Sequence, residues 1–270
     1  MRGRDRSRVR EGGAGRARHP ARGRWRRGRR GRAALRLVSS RPLLVVFAKR
    51  PEPGRVKTRM CPPFTPEQAA AFYGCLLQDV LDAMAEAAPP LGIGLRVALH
   101  PPEAVAEPGV PIPASFGRVE QRGVDLSARM QHAIDQAAMD GFGPILIRGS
   151  DSPALDGDTL AAALEALGQA DVVLCPDMDG GYNLVGVRRP APGLFAHEMS
   201  TGSVLQDTMA RGEALGLRCS VLPSGFDIDT ADDLRTLRHT ADAMRLCSRT
   251  VAFLDRHGLW PPEPDPANAR

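Results

Sequence analysis

The stretch Leu43–Met60, LLVVFAKRPEPGRVKTRM, decides the fold. A short apolar run stops at Lys49, and the eleven residues from Lys49 to Arg59 hold five cations: Lys49, Arg50, Arg55, Lys57 and Arg59. Pro51, Pro53 and Gly54 forbid a helix and stiffen a turn at that point. A buried strand that ends in a rigid cationic loop ahead of a helix is how open α/β sheets receive phosphorylated ligands. The loop matches neither the Walker A pattern nor G-x-G-x-x-G, and its plainer reading is a solvated turn whose cations pair with neighbouring acids. Arg forks and Lys point charges suit phosphate together.

The chain outward from this loop alternates strand-like runs with helical patterns. The expected strands are Leu43–Ala48, Ile93–Leu99, Val119–Gln121, Pro144–Ile147, Asp171–Leu174, Tyr182–Val187 and Arg218–Leu222. Thr65-Pro66-Glu67-Gln68 reads as a capping box opening a helix to about Ala88. Further helices are expected from a cap at Asp125 to Gly141, over Asp156–Leu167, over Gly202–Gly216, and from a cap at Thr230, the last ending by Gly258. This order predicts a mostly parallel sheet covered by helices on both faces, with the ligand beyond the carboxyl ends of the strands. Lys49, Asp151, Asp177, Asp179 and Asp227 all follow such ends.

Charge divides the chain. Residues 1–41 contain sixteen arginines against Asp5 and Glu11, a net of +14, so residues 42–270 carry −9 of the whole chain's +5. This leader lacks the apolar positions needed to fold, and an early start codon in GC-rich DNA explains it better than a nucleic-acid role. The expected organisation is thus a leader over 1–41, one domain over 42–258 and a loose tail over 259–270. Cys61, Cys75, Cys175, Cys219 and Cys247 show no C-x-x-C pair, which suits reduced thiols in a cytoplasmic protein. No apolar run is long enough to span a bilayer, no G-x-S-x-G elbow occurs, and zinc spacing is absent.

Four further clusters carry candidate chemistry. Asp151 sits in GSDSP (149–153), stiffened by Pro153, as a candidate Mg²⁺ ligand. In FDIDT (226–230), Asp227 and Asp229 share one face of an extended segment, and like charges that close need a cation between them. Within CPDMDGGYNLVG (175–186), Gly180 and Gly181 let the backbone approach a ligand, Tyr182 offers a stacking ring and Asp179 a base. Gln121 is a candidate reader of a base edge. Each has a plainer reading as a cap or turn.

FAKRPEPGRVKTRM, GSDSPAL, DGGYNLVG and FDIDTADDL occur in the order found in a family of bacterial GT-A-type transferases. The family is labelled glycosyltransferase-like or rSAM/selenodomain-associated transferase 1. It is similar to 2-phospholactate guanylyltransferase and the molybdenum-cofactor guanylyltransferases. The resemblance covers roughly residues 43–240. It implies a GT-A (nucleotide-diphospho-sugar transferase) fold, a nucleotide held through Lys49, Gly54, Lys57 and Arg59, and Mg²⁺ or Mn²⁺ on Asp151, Asp227 and Asp229; Gln121, Gly180 and Tyr182 join the nucleotide-binding candidates on the residue reading above. Lys57, Asp151 and Asp179 are the catalytic candidates. The chain departs from the family pattern at Ser127-Ala128, Asn183 and Met199. The first expectation is a Mg²⁺-dependent, glycosyltransferase-like transferase with a nucleotide or nucleotide-sugar donor and a small acceptor. The alternative is nucleotidyl transfer from an NTP to a phosphorylated acceptor, and the third is nucleic-acid binding through the leader.

Overall fold

The computed structural model describes residues 41–199 and 201–262; the expectations for the leader and for most of the tail lie outside them. Strand β1 (Leu43–Lys49) is an interior strand, third in a seven-stranded sheet. It pairs in parallel with β2 (Gly94–His100) on one side and β4 (Ile145–Arg148) on the other. Strand β3 (Phe116–Glu120) extends the β2 side in parallel. Beyond β4 lie β6 (Tyr182–Val187), then β5 (Val172–Pro176), then β7 (Cys219–Val221). Strand β6 runs antiparallel to both neighbours, so the sheet is mostly parallel, as expected, with one reversed strand.

Alternation along β1 builds two cores. Leu44, Val46 and Ala48 face α1 (Pro66–Ala87) and α3 (Gly157–Gln169), where Tyr73, Leu77, Val80, Leu160 and Leu167 are buried. Leu43 and Val45 face α2 (Leu126–Met139), meeting Met130, Ile134 and Ala137. A third cluster lies behind α1, where Phe64, Phe72 and Leu76 pack on α5 (Asp233–His239), α6 (Ala241–Leu246) and α7 (Ser248–His257). Asp79 of α1 stands in for a cap on α7: it accepts from Thr250 N and Oγ1, both at 2.8 Å, and from Arg249 N at 3.2 Å. Helix α4 (Val204–Ala214) covers the β5–β7 end.

The capping box at Thr65 forms as the sequence indicates, with Gln68 N donating to Thr65 Oγ1 and Thr65 N to Gln68 Oε1. Asp125 and Asp156 cap α2 and α3. Three readings need correction. The third strand begins at Phe116, three residues before the expected Val119, because an edge strand needs only Phe116 buried to pair. Thr230 does not cap by accepting: its backbone N and Oγ1 both donate to Asp233, which also holds Asp229 N. The helix expected from Thr230 is also interrupted, at Thr240 and Cys247, giving three helices.

Candidate active site

The carboxyl ends of β1, β3 and β4 open onto a cleft of about 430 Å³. It is lined by Lys49, Arg55, Lys57, Arg59, Gln121, Arg129, Asp151 and Asp229, with Tyr73 and Ser150 at its floor. A larger groove of about 720 Å³ lies between α1 and residues 109–113, but its charged groups are Asp82 and Arg249, already paired at 2.7 Å. Convergent charge picks out the first cleft.

The first loop leaves β1 at Lys49, whose backbone N donates to the Tyr73 hydroxyl at 3.0 Å. That hydroxyl lies 2.8 Å from Ser150 Oγ and so ties β1 to GSDSP. Burial and then the Asp151 charge push Tyr73 up to about 12, so it stays protonated and able to bridge. The chain turns at Gly54 (φ 72°) and again at Lys57 (φ 48°), the one non-glycine among the described residues with positive φ. Holding Lys57 there costs about 1 kcal/mol and delivers its ammonium inward. The Nζ lies 2.7 Å from Asp151 Oδ1 and 2.9 Å from Asp229 Oδ1, with the side chain 4% exposed. Burial alone would lower the Lys57 pKa, but the two carboxylates more than offset it and raise it well above the lysine value.

Asp229 is drawn upward by burial, and the Lys57 charge outweighs this and holds it below the usual carboxylate range. Asp227 behaves oppositely. Burial, then the charges of Asp151 and Asp177, push it up to about 8, against the Ser152 hydroxyl that donates to it. Asp177 accepts from Asp227 N at 3.1 Å, and burial raises it too. Burial and neighbouring negative charge thus favour the protonated form of Asp227 and Asp177, and the Lys57 charge opposes this at Asp227 only in part.

The structure thus gathers Lys49, Lys57, Arg59, Gln121, Asp151 and Asp229 on one cleft, with Asp227 beside Asp151. Other sequence candidates lie apart. Gly54 shapes the outer turn and has open space around it. Asp179, Gly180 and Tyr182 do not line the cleft. Asp179 accepts from Gly181 N within its own turn at 2.9 Å. The close approach at Gly180 is to the chain itself, since a Cβ there would meet Gly202 O at 2.0 Å. Tyr182, expected as a stacking ring, packs into the second core, and Thr208 donates to its hydroxyl. Gln121 donates to Ala48 O at 3.1 Å and Ala98 O at 2.9 Å, so its Nε2 is committed to backbone.

Sequence reasoning missed Arg129, which comes from the first turn of α2, and the buried Arg148 at the end of β4. An Arg on an amphipathic helix carries no mark of what it faces; only the Asp125 cap signalled that this helix starts at the site.

Three side-chain carboxylates or imidazoles do not converge closely enough to hold a metal alone among the described residues. The donor set still suits a hard dication. Asp151 Oδ1 is shut from solvent and, apart from its ion contact with Lys57, makes no hydrogen bond of sound geometry. Asp151 and Asp227 together would supply the one or two carboxylates that Mg²⁺ takes alongside phosphate oxygens and water.

Residues 83–203 match the family described as "Uncharacterized protein conserved in bacteria (DUF2064)". The 2-phospho-L-lactate guanylyltransferase of Methanopyrus kandleri is 33% identical over 156 residues, covering 53% of this chain and 76% of that protein. The phosphoenolpyruvate guanylyltransferase of Chloroflexus aggregans is 27% identical over 186 residues, covering 66% and 89%. A crystal structure of a protein of Desulfovibrio desulfuricans G20, assigned to the nucleotide-diphospho-sugar transferases, superposes with a TM-score of 0.67. It is 28% identical and covers 81% of this chain and 98% of that one. No helix among the described residues is long and apolar enough to cross a membrane. With the nucleotide-diphospho-sugar transferase fold and these relatives in hand, the chain is a transferase and belongs to the DUF2064 family, homologous to the 2-phospho-L-lactate and phosphoenolpyruvate guanylyltransferases.

Proposed function

We propose that the chain is a nucleotidyltransferase, joining a nucleoside triphosphate to a small phosphorylated acid with release of pyrophosphate. The observation that carries this reading is the ring of Lys49, Arg55, Lys57, Arg59 and Arg129 around one cleft of about 430 Å³ in an otherwise acidic domain. That much positive charge suits a triphosphate better than the diphosphate of a nucleotide-sugar. The relatives support it, since those named above are guanylyltransferases acting on phosphorylated acids. Guanine is accordingly the base we assign, with the acceptor a phosphorylated carboxylic acid.

An acceptor phosphate oxygen attacks the α-phosphorus, the bond from that phosphorus to the bridging oxygen breaks, and the electron pair leaves with pyrophosphate. Lys49, Arg55, Arg59 and Arg129 hold the triphosphate and take up the charge that grows on the leaving group. Lys57, charged and buried, moves its ammonium from Asp151 and Asp229 toward the phosphates. Mg²⁺ or Mn²⁺, held by Asp151 and Asp227 with Asp229 freed by Lys57, would supply charge neutralisation at the α-phosphate. Glycosyl transfer is the weaker reading, because Asp179, its candidate base, lies outside the cleft with its carboxylate turned to Gly181 N.

The test is pyrophosphate release by the full chain with each NTP and Mg²⁺, offering 2-phospho-L-lactate, phosphoenolpyruvate or 3-phospho-D-glycerate as acceptor. Acceptor-dependent release with GTP supports the reading. Sugar transfer from a nucleotide-sugar, with no pyrophosphate from any NTP, overturns it.

A further inference from the structure

Strand β4 reads Ile145-Leu146-Ile147 and then ends in Arg148, whose side chain is among the largest fully buried ones, at 1% exposure. Burying a guanidinium is costly unless its donors are met. Arg148 forms no ion pair among the described residues. It spends its donors on three backbone carbonyls instead: Nε to Gly149 O at 2.9 Å, Nη2 to Ser152 O at 2.6 Å and Nη1 to Leu155 O at 3.3 Å.

Two of those carbonyls, Gly149 and Ser152, flank Asp151 in the chain, so the fork holds the loop on either side of it. Ser152, fixed through its carbonyl, donates its hydroxyl to Asp227. Asp151 O in turn accepts from Ile228 N at 3.0 Å. A single guanidinium thus reaches both acidic motifs, one directly and one through Ser152.

We infer that Arg148 is a positioning residue for the acidic half of the site, setting Asp151 against Asp227 so that together they receive a divalent cation. The consequence for the cation rests on the nucleotidyltransferase reading; the clamp itself does not. Lysine keeps the charge but cannot span three carbonyls. Methionine keeps much of the volume and has neither the charge nor the fork.

The experiment compares wild type, R148K and R148M as full chains, using two readouts. Hydrogen exchange of residues 149–155 tests the clamp without any ligand. Mn²⁺ affinity by titration, beside GTP affinity in EDTA, tests its consequence. Both variants should speed exchange in 149–155 about tenfold while β1 and β5 keep their protection. Mn²⁺ affinity should fall about tenfold, and GTP affinity in EDTA should hold within twofold. If R148M fails to fold, R148K alone decides. Unchanged loop exchange in a folded variant overturns the clamp. A loosened loop with undiminished Mn²⁺ affinity overturns the positioning role, as does a parallel loss of metal-free GTP affinity. A wild type that binds neither Mn²⁺ nor GTP overturns the proposed function and the positioning role together, leaving loop exchange to decide the clamp.

Discussion

Replacing Lys57 with methionine isolates the ion contact at the centre of the site. The substitution removes the ammonium that lies 2.7 Å from Asp151 and 2.9 Å from Asp229, and it preserves most of the aliphatic stem. Breaking a buried pair costs about 3–5 kcal/mol, and an exposed one about 0–1 kcal/mol. Here the cation is buried, but the two carboxylate side chains are 33% and 41% exposed, and water screens what is left behind. The loss should therefore fall between those limits, at about 1–3 kcal/mol. For a domain of this size that is a fall in Tm of about 2–12 °C. The K57M/D229N double variant should regain part of it, since one unbalanced charge is then gone. The assay is thermal and urea melting of wild type, K57M, D229N and the double variant at pH 7, completing a double-mutant cycle. The expected coupling energy is at least about 0.5 kcal/mol. A K57M protein as stable as wild type, or a double variant showing no coupling, would falsify the claim that Lys57 balances these acids.

Four other outcomes are expected. Asp79→Ala strips the acceptor from Thr250 N, Thr250 Oγ1 and Arg249 N, and should cost about 2–4 kcal/mol in urea melts; Asp79→Asn should cost less. Gly186→Ala places a Cβ 2.5 Å from Leu146 Cδ2 and 2.7 Å from Val173 Cγ1, an overpacking worth about 1–3 kcal/mol in the same measurement. Burial, followed by the charges of Arg129 and Lys49, lowers the His100 pKa below its ordinary 6.5 despite Glu103. The unfolded chain then binds the proton more readily, so wild-type stability should decline relative to His100→Asn as pH falls below 6.5; a Tm difference that stays constant from pH 7.5 to 5.5 contradicts this. Arg129→Ala should weaken GTP binding about tenfold (~1.4 kcal/mol) and flatten its salt dependence, read by isothermal titration.

Much of the architecture was legible because it is written in local patterns. The Gly180-Gly181 turn marks where β6 begins, and the Thr65–Gln68 capping box marks where α1 begins. Strand direction is another matter. Nothing in the apolar period distinguishes the reversed β6 from its parallel neighbours, since both directions bury the same residues. The residues of the cleft were legible where charge lies in the loop after a strand, as at Lys57 after β1 and Asp151 after β4. It was illegible where the decisive contact is remote in sequence. Arg148 looks like the polar end of an apolar strand until its carbonyl partners are seen, and Tyr182 looks like a stacking ring until the second core closes over it. Gly180 reads as a place where backbone approaches a ligand, whereas the close neighbour in the structure is Gly202.

The Asp79 contact also bears on how the chain is made. Its partners Arg249 and Thr250 follow it by 170 and 171 residues. Synthesis runs at about 5–20 residues per second, so roughly 10–35 s separate the carboxylate from the groups that satisfy it. For most of that interval Phe72 and Leu76 on the same helix also lack the α5–α7 side chains that cover them, since α5 begins only at Asp233. Until α7 is made, α1 therefore carries an uncovered apolar stripe and an unsatisfied acid, and the docking of α7 answers both at once.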